Sequence, residues 1–409
     1  AALEQQFLLT RLRAVFYRPV LVGVAADFSY SVRPNNLICV VESEGVVCSR
    51  IQFSMTETPP GIEGEVAAHQ WKRKQPDSTS SVEVGKSMQR RLAVDPELAT
   101  ELFPKLTRAL LRSDLATLLS STYIIGMRFP GLHSIFSEIT LNRTDRGSRT
   151  MTATCSEFDH RFERVEFSFT SNFCRGSMIA FVRPAAINQP SLAEVSRFVG
   201  PQKYNKARAL IIGGSRGLGE LIAKIIVAGG GRVCCTYVSS QADAQRVQSE
   251  LGSENCEIRS LDVTEADEQS FRDLLKAAKP THVFYLATPH IFGGQKGRIS
   301  APKTDRFLHF YVSAFLELSR AASALGIKNI FAPSTVAIDE RPDAMAEYVI
   351  AKSAFESACR YLRKDDSTLN LHFPRLPRLE TDQTVSISSI DSEDTLPTML
   401  EVVADFVQN

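Results

Sequence analysis

Two stretches in the second half of the chain hold residue types whose spacing could do chemistry. The first is Tyr348-Val349-Ile350-Ala351-Lys352, inside a run with helical apolar spacing over residues 346–362. Four residues along a helix put both polar side chains on one face. An ammonium beside a phenol can lower the phenol pKa from about 10 toward neutrality, which makes a group that gives and takes a proton. The second stretch is Ile212-Gly213-Gly214-Ser215-Arg216-Gly217-Leu218-Gly219, entered by the apolar strand 209–212 and followed by the amphipathic run 220–228. A strand, three spaced glycines and a helix start form the layout of a dinucleotide pyrophosphate cradle. Gly213 allows the tight turn, Gly217 lets backbone N–H groups approach the phosphates, and Gly219 permits close helix–strand packing. The helix start offers partial positive charge to the anion.

The choice of cofactor has its own signal. An NAD site places an acid about 20 residues after the glycines, where it bonds the ribose hydroxyl. Here the apolar strand 232–237 ends in Val238-Ser239-Ser240, without a carboxylate. Arg216 offers its fork of donors to a 2′-phosphate, and Ser239 and Ser240 add hydroxyls. NADPH is therefore favoured, and with it reduction.

The elements that must position these groups alternate. Strands at 209–212, 232–237, 257–261, 282–286, 329–332 and 369–373 are separated by helices at 220–229, 242–251, 268–278, 307–325 and 346–362. Such alternation implies an α/β fold, a doubly wound parallel sheet of Rossmann type covered by helices on both faces.

Over residues 207–385 the chain resembles the short-chain dehydrogenase/reductase family. The glycine loop fits that family's Thr-Gly-x-x-x-Gly-x-Gly with Ile212 in the Thr position, Leu261-Asp262-Val263 fits its adenine-ring Asp-Val, and residues 348–352 fit Tyr-x-x-x-Lys. Ser334, at a strand end fourteen residues before Tyr348, fits the catalytic Ser. The resemblance implies catalysis by Ser334, Tyr348 and Lys352. Ser334 would hold the substrate carbonyl oxygen, Tyr348 would donate the proton, and Lys352 would also fix the ribose hydroxyls. It further implies a cofactor site made of Gly213, Ser215, Arg216, Gly217, Leu218, Gly219, Ser239, Asp262, Val263, Ala287 and Lys352.

Two positions depart from the family pattern. Leu286-Ala287-Thr288-Pro289 stands where the family has Asn-Ala-Gly, closer to its extended branch, and Tyr311 replaces the catalytic Asn of the next helix. Loss of that Asn puts the usual water-linked proton relay in doubt. Arg375 and Arg378, after the sixth strand, could steer an anionic acyl carrier. Helices 307–325 and 346–362 form the dimer or tetramer surface in many members, so the resemblance is compatible with self-association, a homodimer among the options.

The first half reads differently. Strand-like pieces fall at 15–17, 20–28, 37–41 and 46–53, with Pro, Asn and Gly at the breaks. Residues 56–80, rich in Pro, Gly, Ser and charge around the single Trp71, read as a loop. After a short strand near 82–92, Asp95 and Pro96 stand as N-cap and first residue of a helix whose apolar spacing runs to about Ile125. Strands return at 135–141, 150–155, 161–169 and 178–182. The expected architecture is an α+β hot-dog, a sheet wrapped around a central helix, single or doubled.

Residues 120–136 and 16–24 resemble the MaoC-like hydratases and dehydratases. Those enzymes carry an Asp and, five residues later, a His. Here Asp95 and Asp114 are followed at that distance by Thr100 and Leu119, and no His lies between His69 and His133. The hot-dog module is thus expected to be degenerate, with His133 the candidate for a rearranged acid or base.

Composition bounds the rest. The 47 basic and 46 acidic side chains leave a net charge of +1, which argues for neither nucleic acid nor an anionic membrane as partner. No apolar run reaches the ~20 residues of a bilayer span and no signal peptide is evident, so a soluble, cytoplasmic protein is expected. Eight cysteines show no metal-ligand spacing, and no metal is expected. A length of 409 residues suggests two or three domains: a hot-dog domain at 1–185, a linker at 186–206 and an NADP-binding reductase at 207–409. The opening Ala1-Ala2 suggests a piece of a longer polypeptide.

By analogy of fold, the pairing points to reduction of a 3-oxoacyl thioester, on coenzyme A or an acyl carrier protein, in polyketide or fatty-acid-type biosynthesis. A bifunctional ketoreductase/dehydratase and a non-catalytic NADP-binding scaffold are the alternatives.

Overall fold

Along Arg164–Ser171 every second side chain, Val165, Phe167 and Phe169, is buried. This is the period of a strand with one face on a core. The computed structural model describes residues 7–20, 24–33, 36–43, 45–58, 66–70, 74–77, 83–144, 148–171, 174–183, 187–291, 299–343, 345–381 and 392–408. Trp71 and Asp382 lie outside the described residues, as does part of the expected loop 56–80. The chain divides into two compact units, the first built on residues up to Ala185 and the second on residues from Ala186 onward.

Among the described residues, the first unit is built on one nine-stranded antiparallel sheet. Its strands are β1 (Phe7–Phe16), β2 (Asp27–Arg33), β3 (Asn36–Ser43), β4 (Val46–Glu57), β5 (Ser87–Arg91), β6 (Ser134–Arg143), β7 (Thr150–Asp159), β8 (Arg164–Ser171) and β9 (Cys174–Val182). They lie in the order β2-β3-β4-β1-β6-β9-β8-β7-β5. Within the strand expected at 20–28, residues 21–23 lie outside the described residues and the described strand starts at Asp27.

The helix expected from Asp95 to Ile125 is three helices, α1 (Pro96–Leu102), α2 (Pro104–Ala109) and α3 (Arg112–Tyr123), followed by a π-helical turn, Ile124–Arg128. Pro104 is the cause of the first break. It drives Phe103 out of the helical region, to φ −131° and ψ 54°. Asp95 caps α1 as expected, accepting the Leu98 N–H at 3.1 Å.

Helix α3 packs Leu115 and Ala116 into the same core as the sheet residues Leu12, Ile139 and Phe167. Its Asp114, fully buried, accepts the Leu9 N–H at 2.9 Å and pairs with Arg143 at 2.6 Å. Arg143 Nε in turn donates to the Leu9 carbonyl at 2.9 Å. One ion pair thus ties α3 to β1 and β6.

The second unit follows from a different strand pattern. Ala209, Leu210, Ile211 and Ile212 are all buried, as in a strand covered on both faces. The parallel strands β10 (Arg208–Ile212), β11 (Arg232–Tyr237), β12 (Cys256–Ser260), β13 (His282–Tyr285), β14 (Asn329–Phe331) and β15 (Asn370–His372) form a sheet in the order β12-β11-β10-β13-β14-β15. The chain winds outward from β10 through β12, then crosses back to β13 on the other side. The point where the order reverses, beside the carboxyl ends of β10 and β13, is where such sheets bind ligands.

Helices of this unit are α4 (Leu192–Val195), α5 (Gly217–Ala228), α6 (Gln241–Leu251), α7 (Glu268–Ala278), α8 (Ala301–Leu308), α9 (Ala314–Ala324), α10 (Ala337–Glu340), α11 (Ala346–Asp365) and α12 (Thr395–Gln408). The helix expected at 307–325 is interrupted by a second π-helical turn, His309–Ser313. Helix α12, absent from the sequence expectation, packs Met399, Val403 and Phe406 into the second core.

Residues 186–206, expected as a linker, belong to this unit. Ser191 and Glu194 form a capping box on α4, and Val195, Val199 and Tyr204 join the core. The buried Lys224 holds the segment in place. Its ammonium donates to the Pro190 carbonyl at 2.9 Å and pairs with Glu220 at 2.8 Å and Glu250 at 3.0 Å. Lys224→Met leaves the buried Glu220 with Arg246 as its remaining cation and removes the ammonium that Glu250 and the Pro190 carbonyl share. Expected is a loss of about 3 kcal/mol of stability, read as a lower denaturant midpoint; an unchanged midpoint would show the clamp to be idle.

Among the described residues, no helix is long and apolar enough to cross a membrane, and no cluster of His, Cys, Asp and Glu could hold a metal ion.

Candidate active site

At the reversal point the second unit opens a cleft of about 1400 Å³. Every residue assigned to catalysis or cofactor binding from the sequence lines it, from Gly213 through Asp262 and Ala287 to Tyr348 and Lys352.

The glycine turn is built as a cradle. Gly213 sits at φ +85°, a conformation that favours glycine. A methyl group on Gly219 would stand 2.1 Å from the Gly213 carbonyl oxygen, so the start of α5 can press on the turn only without a side chain. Glu220, in the first turn of α5, would oppose a bound anion. It is instead neutralised by Lys224 at 2.8 Å and Arg246 at 2.7 Å. Arg216 is the N-cap residue of α5 and has Asp243 at 3.8 Å, while Ser239 and Ser240 follow the end of β11. Asp262 accepts the Thr264 N–H at 2.9 Å and its hydroxyl at 2.7 Å, which fixes the carboxylate at the cleft wall. A shaped turn, an uncompensated helix start and a cationic rim fit a dinucleotide carrying an extra phosphate.

The residues expected to be catalytic are placed differently from expectation in one respect. Ser334 is buried and its hydroxyl donates to Glu356 Oε1 at 2.6 Å. Glu356 is itself held by Arg375 at 2.7 Å and Arg360 at 2.7 Å, and the Arg375 guanidinium keeps its carboxyl down at about 2. Ser334 is thereby committed to a structural network. The hydroxyl that faces the Tyr348 phenol is that of the next residue, Thr335. Both hydroxyls reach α11, Ser334 at Glu356 and Thr335 two helical turns earlier at Tyr348. Arg375 has a second pair to Asp339 at 2.6 Å, so part of the charge expected to steer a carrier is met within the chain.

Tyr348 and Lys352 share a face of α11, as their spacing requires, yet the expected lowering of the phenol pKa is absent. Burial pushes the Tyr348 phenol up to about 12, with the Thr335 hydroxyl pulling the other way. Lys352 is aimed elsewhere: Nζ donates to the Pro333 carbonyl at 2.7 Å and sits 4.0 Å from the centre of the Tyr311 ring. Burial also pushes its ammonium down to about 7 from an ordinary value near 10.5.

The unfolded chain therefore keeps this proton to about pH 10.5, while the folded chain releases it near 7. Between those values the unfolded state binds more protons, so Lys352 makes stability rise with pH. From pH 7 to about 8.5, below the titration of unfolded thiols, denaturation curves of the wild type should climb with pH more steeply than those of Lys352→Met. Parallel curves would refute the depressed ammonium.

Tyr311, at the position of the missing Asn, is buried on the π-helical turn. Its hydroxyl lies 2.5 Å from the Thr288 hydroxyl, and its ring stacks on Phe307 and meets Tyr348 edge-on at 5.7 Å. The Phe310 carbonyl on the same turn receives the Tyr285 hydroxyl at 2.6 Å. Neither the turn nor the cation–ring contact has a signature in sequence.

In the first unit the acids weighed as remnants of a dyad are both engaged, Asp95 in its helix cap and Asp114 with Arg143. His133 carries a buried Nδ1 without a hydrogen-bond partner among the described residues.

Comparison with known proteins gives a partial likeness. No family profile matches the chain. The cyclic-di-GMP-binding biofilm dispersal mediator protein of Escherichia coli (strain K12) is 28% identical over 161 residues, 38% of this chain. The match spans 65% of the length of that curated relative. Among solved structures, a short-chain dehydrogenase from Burkholderia cenocepacia J2315 in complex with NADP is 24% identical, covering 44% of this chain and 78% of that one, with a TM-score of 0.39. A Serratia marcescens short-chain dehydrogenase/reductase is 19% identical over 48% of this chain and 88% of its own, with a TM-score of 0.41. The MalC reductase/Diels-Alderase of Malbranchea aurantiaca is 15% identical over 44% of this chain and 76% of its own, with a TM-score of 0.40. All of these solved structures match less than half of the chain.

Proposed function

We propose that the second unit is an NADPH-dependent carbonyl reductase and that its substrate is a 3-oxoacyl thioester, carried on coenzyme A or an acyl carrier protein. One observation carries the reading. The Tyr348 phenol lies one helical turn ahead of the buried Lys352, beside Thr335, in the cleft that also holds the glycine turn.

Each group then has a task in reduction. Thr335 donates a hydrogen bond to the substrate carbonyl oxygen, in the role expected of Ser334. Tyr348, whose buried phenol keeps its proton at neutral pH, gives that proton to the same oxygen as charge develops there. Lys352, steadied by the Pro333 carbonyl, holds the ribose hydroxyls of the cofactor. Bound nicotinamide in its reduced form supplies the hydride that the carbonyl carbon accepts. Gly213, Gly217 and the start of α5 hold the pyrophosphate, and Asp262 the adenine. Arg216, Ser239 and Ser240 hold the 2′-phosphate.

The first unit is read as a hot-dog module without its own catalysis, which supports or presents the acyl chain. The engaged states of Asp95 and Asp114 support this reading. The substrate class rests on the pairing of two folds that commonly act on acyl thioesters.

The test is consumption of NADPH with a panel of 3-oxoacyl thioesters, followed by identification of the 3-hydroxyacyl product. NADPH that binds without being consumed by any member would favour the scaffold alternative. Cofactor choice is tested separately. Arg216→Ala should raise KM for NADPH about 10-fold or more, the worth of a hydrogen bond to a charged group, and leave KM for NADH nearly unchanged. Equal effects on both cofactors would remove Arg216 from the phosphate site.

A further inference from the structure

Among the described residues, strand β2 is the edge of the first sheet and pairs with β3 alone. All seven of its residues are exposed. Phe28, Tyr30 and Val32 alternate along one face and stand 71%, 76% and 70% exposed. That face is not an isolated patch. The three residues lie opposite Val41, Cys39 and Leu37 on β3. Cys39 and Leu37 lie opposite Ile51 and Phe53 on β4, which pair with Ala14 and Leu12 of the core. The apolar face therefore runs from the interior out to the edge, and among the described residues its cover ends before β2.

Natural edge strands are usually protected by an inward charge, a proline, a bulge or shortness. Between its two ends β2 has none of these: it reads Asp-Phe-Ser-Tyr-Ser-Val-Arg, with charge at the first and last positions only. The order of residues is also self-complementary. When two such strands run antiparallel with Tyr30 facing Tyr30, Phe28 meets Val32 and Ser29 meets Ser31. Asp27 of each copy then meets Arg33 of the other. Aromatic pairs, aromatic–branched pairs and opposite charges are the favourable cross-strand neighbours, and a shift of register would break both ion pairs.

We propose that two copies of this chain associate through β2, antiparallel and centred on Tyr30, so that the sheets of the two first units join into one. The partner is a second copy because the charge pattern of the strand matches its own reverse. This interface is independent of the reductase reading, and it differs from the helix surface that the family resemblance implies.

The full chain tests the proposal by sedimentation and by cross-linking. Wild type should be a dimer. Asp27→Arg and Arg33→Asp should each raise the dissociation constant roughly tenfold or more, since each turns two attractive pairs into two repulsive ones. The double variant Asp27→Arg/Arg33→Asp should return it to within about twofold of wild type. With Cys39, the neighbour of Tyr30 on β3, replaced by Ser, Tyr30→Cys should form a disulfide-linked dimer under mild oxidation. Ser29→Cys alone should not, whereas Ser29→Cys/Ser31→Cys should. A monomer at all concentrations overturns the proposal. So does a dimer that ignores both charge reversals, or one that cross-links at Ser29→Cys as readily as at Tyr30→Cys.

Discussion

Tyr348→Phe should lower kcat by about 10²–10⁴-fold, the usual worth of a positioned proton donor. The phenol is buried and pushed up to about 12, so at neutral pH it holds the proton that reduction consumes. Removing one oxygen leaves the ring packed edge-on against Phe307 at 5.9 Å and Tyr311 at 5.7 Å, so the fold is expected to survive. The affinity for NADPH should stay within about twofold, because the loss falls on the chemical step and not on uniform binding. Steady-state kinetics with a reducible thioester, together with a direct binding titration, separates the two. A variant that keeps most of its activity would mean that the proton comes from another group.

The second large effect separates two neighbouring hydroxyls. Thr335→Ala should cost about 10²–10³-fold in kcat, the range seen when one donor to a developing oxyanion is removed. Ser334→Ala should leave kcat close to wild type. Its cost should appear in stability, about 1.5–3 kcal/mol for a buried hydrogen bond to a charged carboxylate, because Ser334 donates to Glu356 and not into the cleft. Kinetics and denaturation of both variants decide the matter. If Ser334→Ala is the inactive variant, the assignment of Thr335 is wrong.

Why the sequence pointed to Ser334 is instructive. Two hydroxyl residues stand side by side at a strand end, and composition alone cannot say which one faces inward. The signal that separates them lies on α11, where Glu356 is four residues beyond Lys352 and therefore on the same helical face. A buried carboxylate there captures the nearer hydroxyl. The glycine turn, the pair Tyr348 and Lys352 and the Asp95 cap were legible because each depends on local spacing. The break at Pro104 was legible in principle, since the residue before a proline avoids helical angles. The π-helical turns were not, because no local spacing in the chain marks them. The downward shift of the Lys352 ammonium was equally hidden, for burial is a property of the packed whole. Residues 186–206 looked like a connector because they are rich in polar and turn-forming types, and only their packing on Lys224 shows them to be part of the second unit.

The π-helical turn at His309–Ser313 makes this site sensitive to length as well as to identity. Such a turn accommodates one residue beyond the regular spiral, and each residue of an α-helix turns the chain by about 100°. Deleting a single codon here would let α8 run smoothly into α9 while swinging Tyr311 away from the ammonium it shields. A missing amino acid in a distant-looking helix would then be felt as an active-site lesion, though every residue named in the chemistry would still be present.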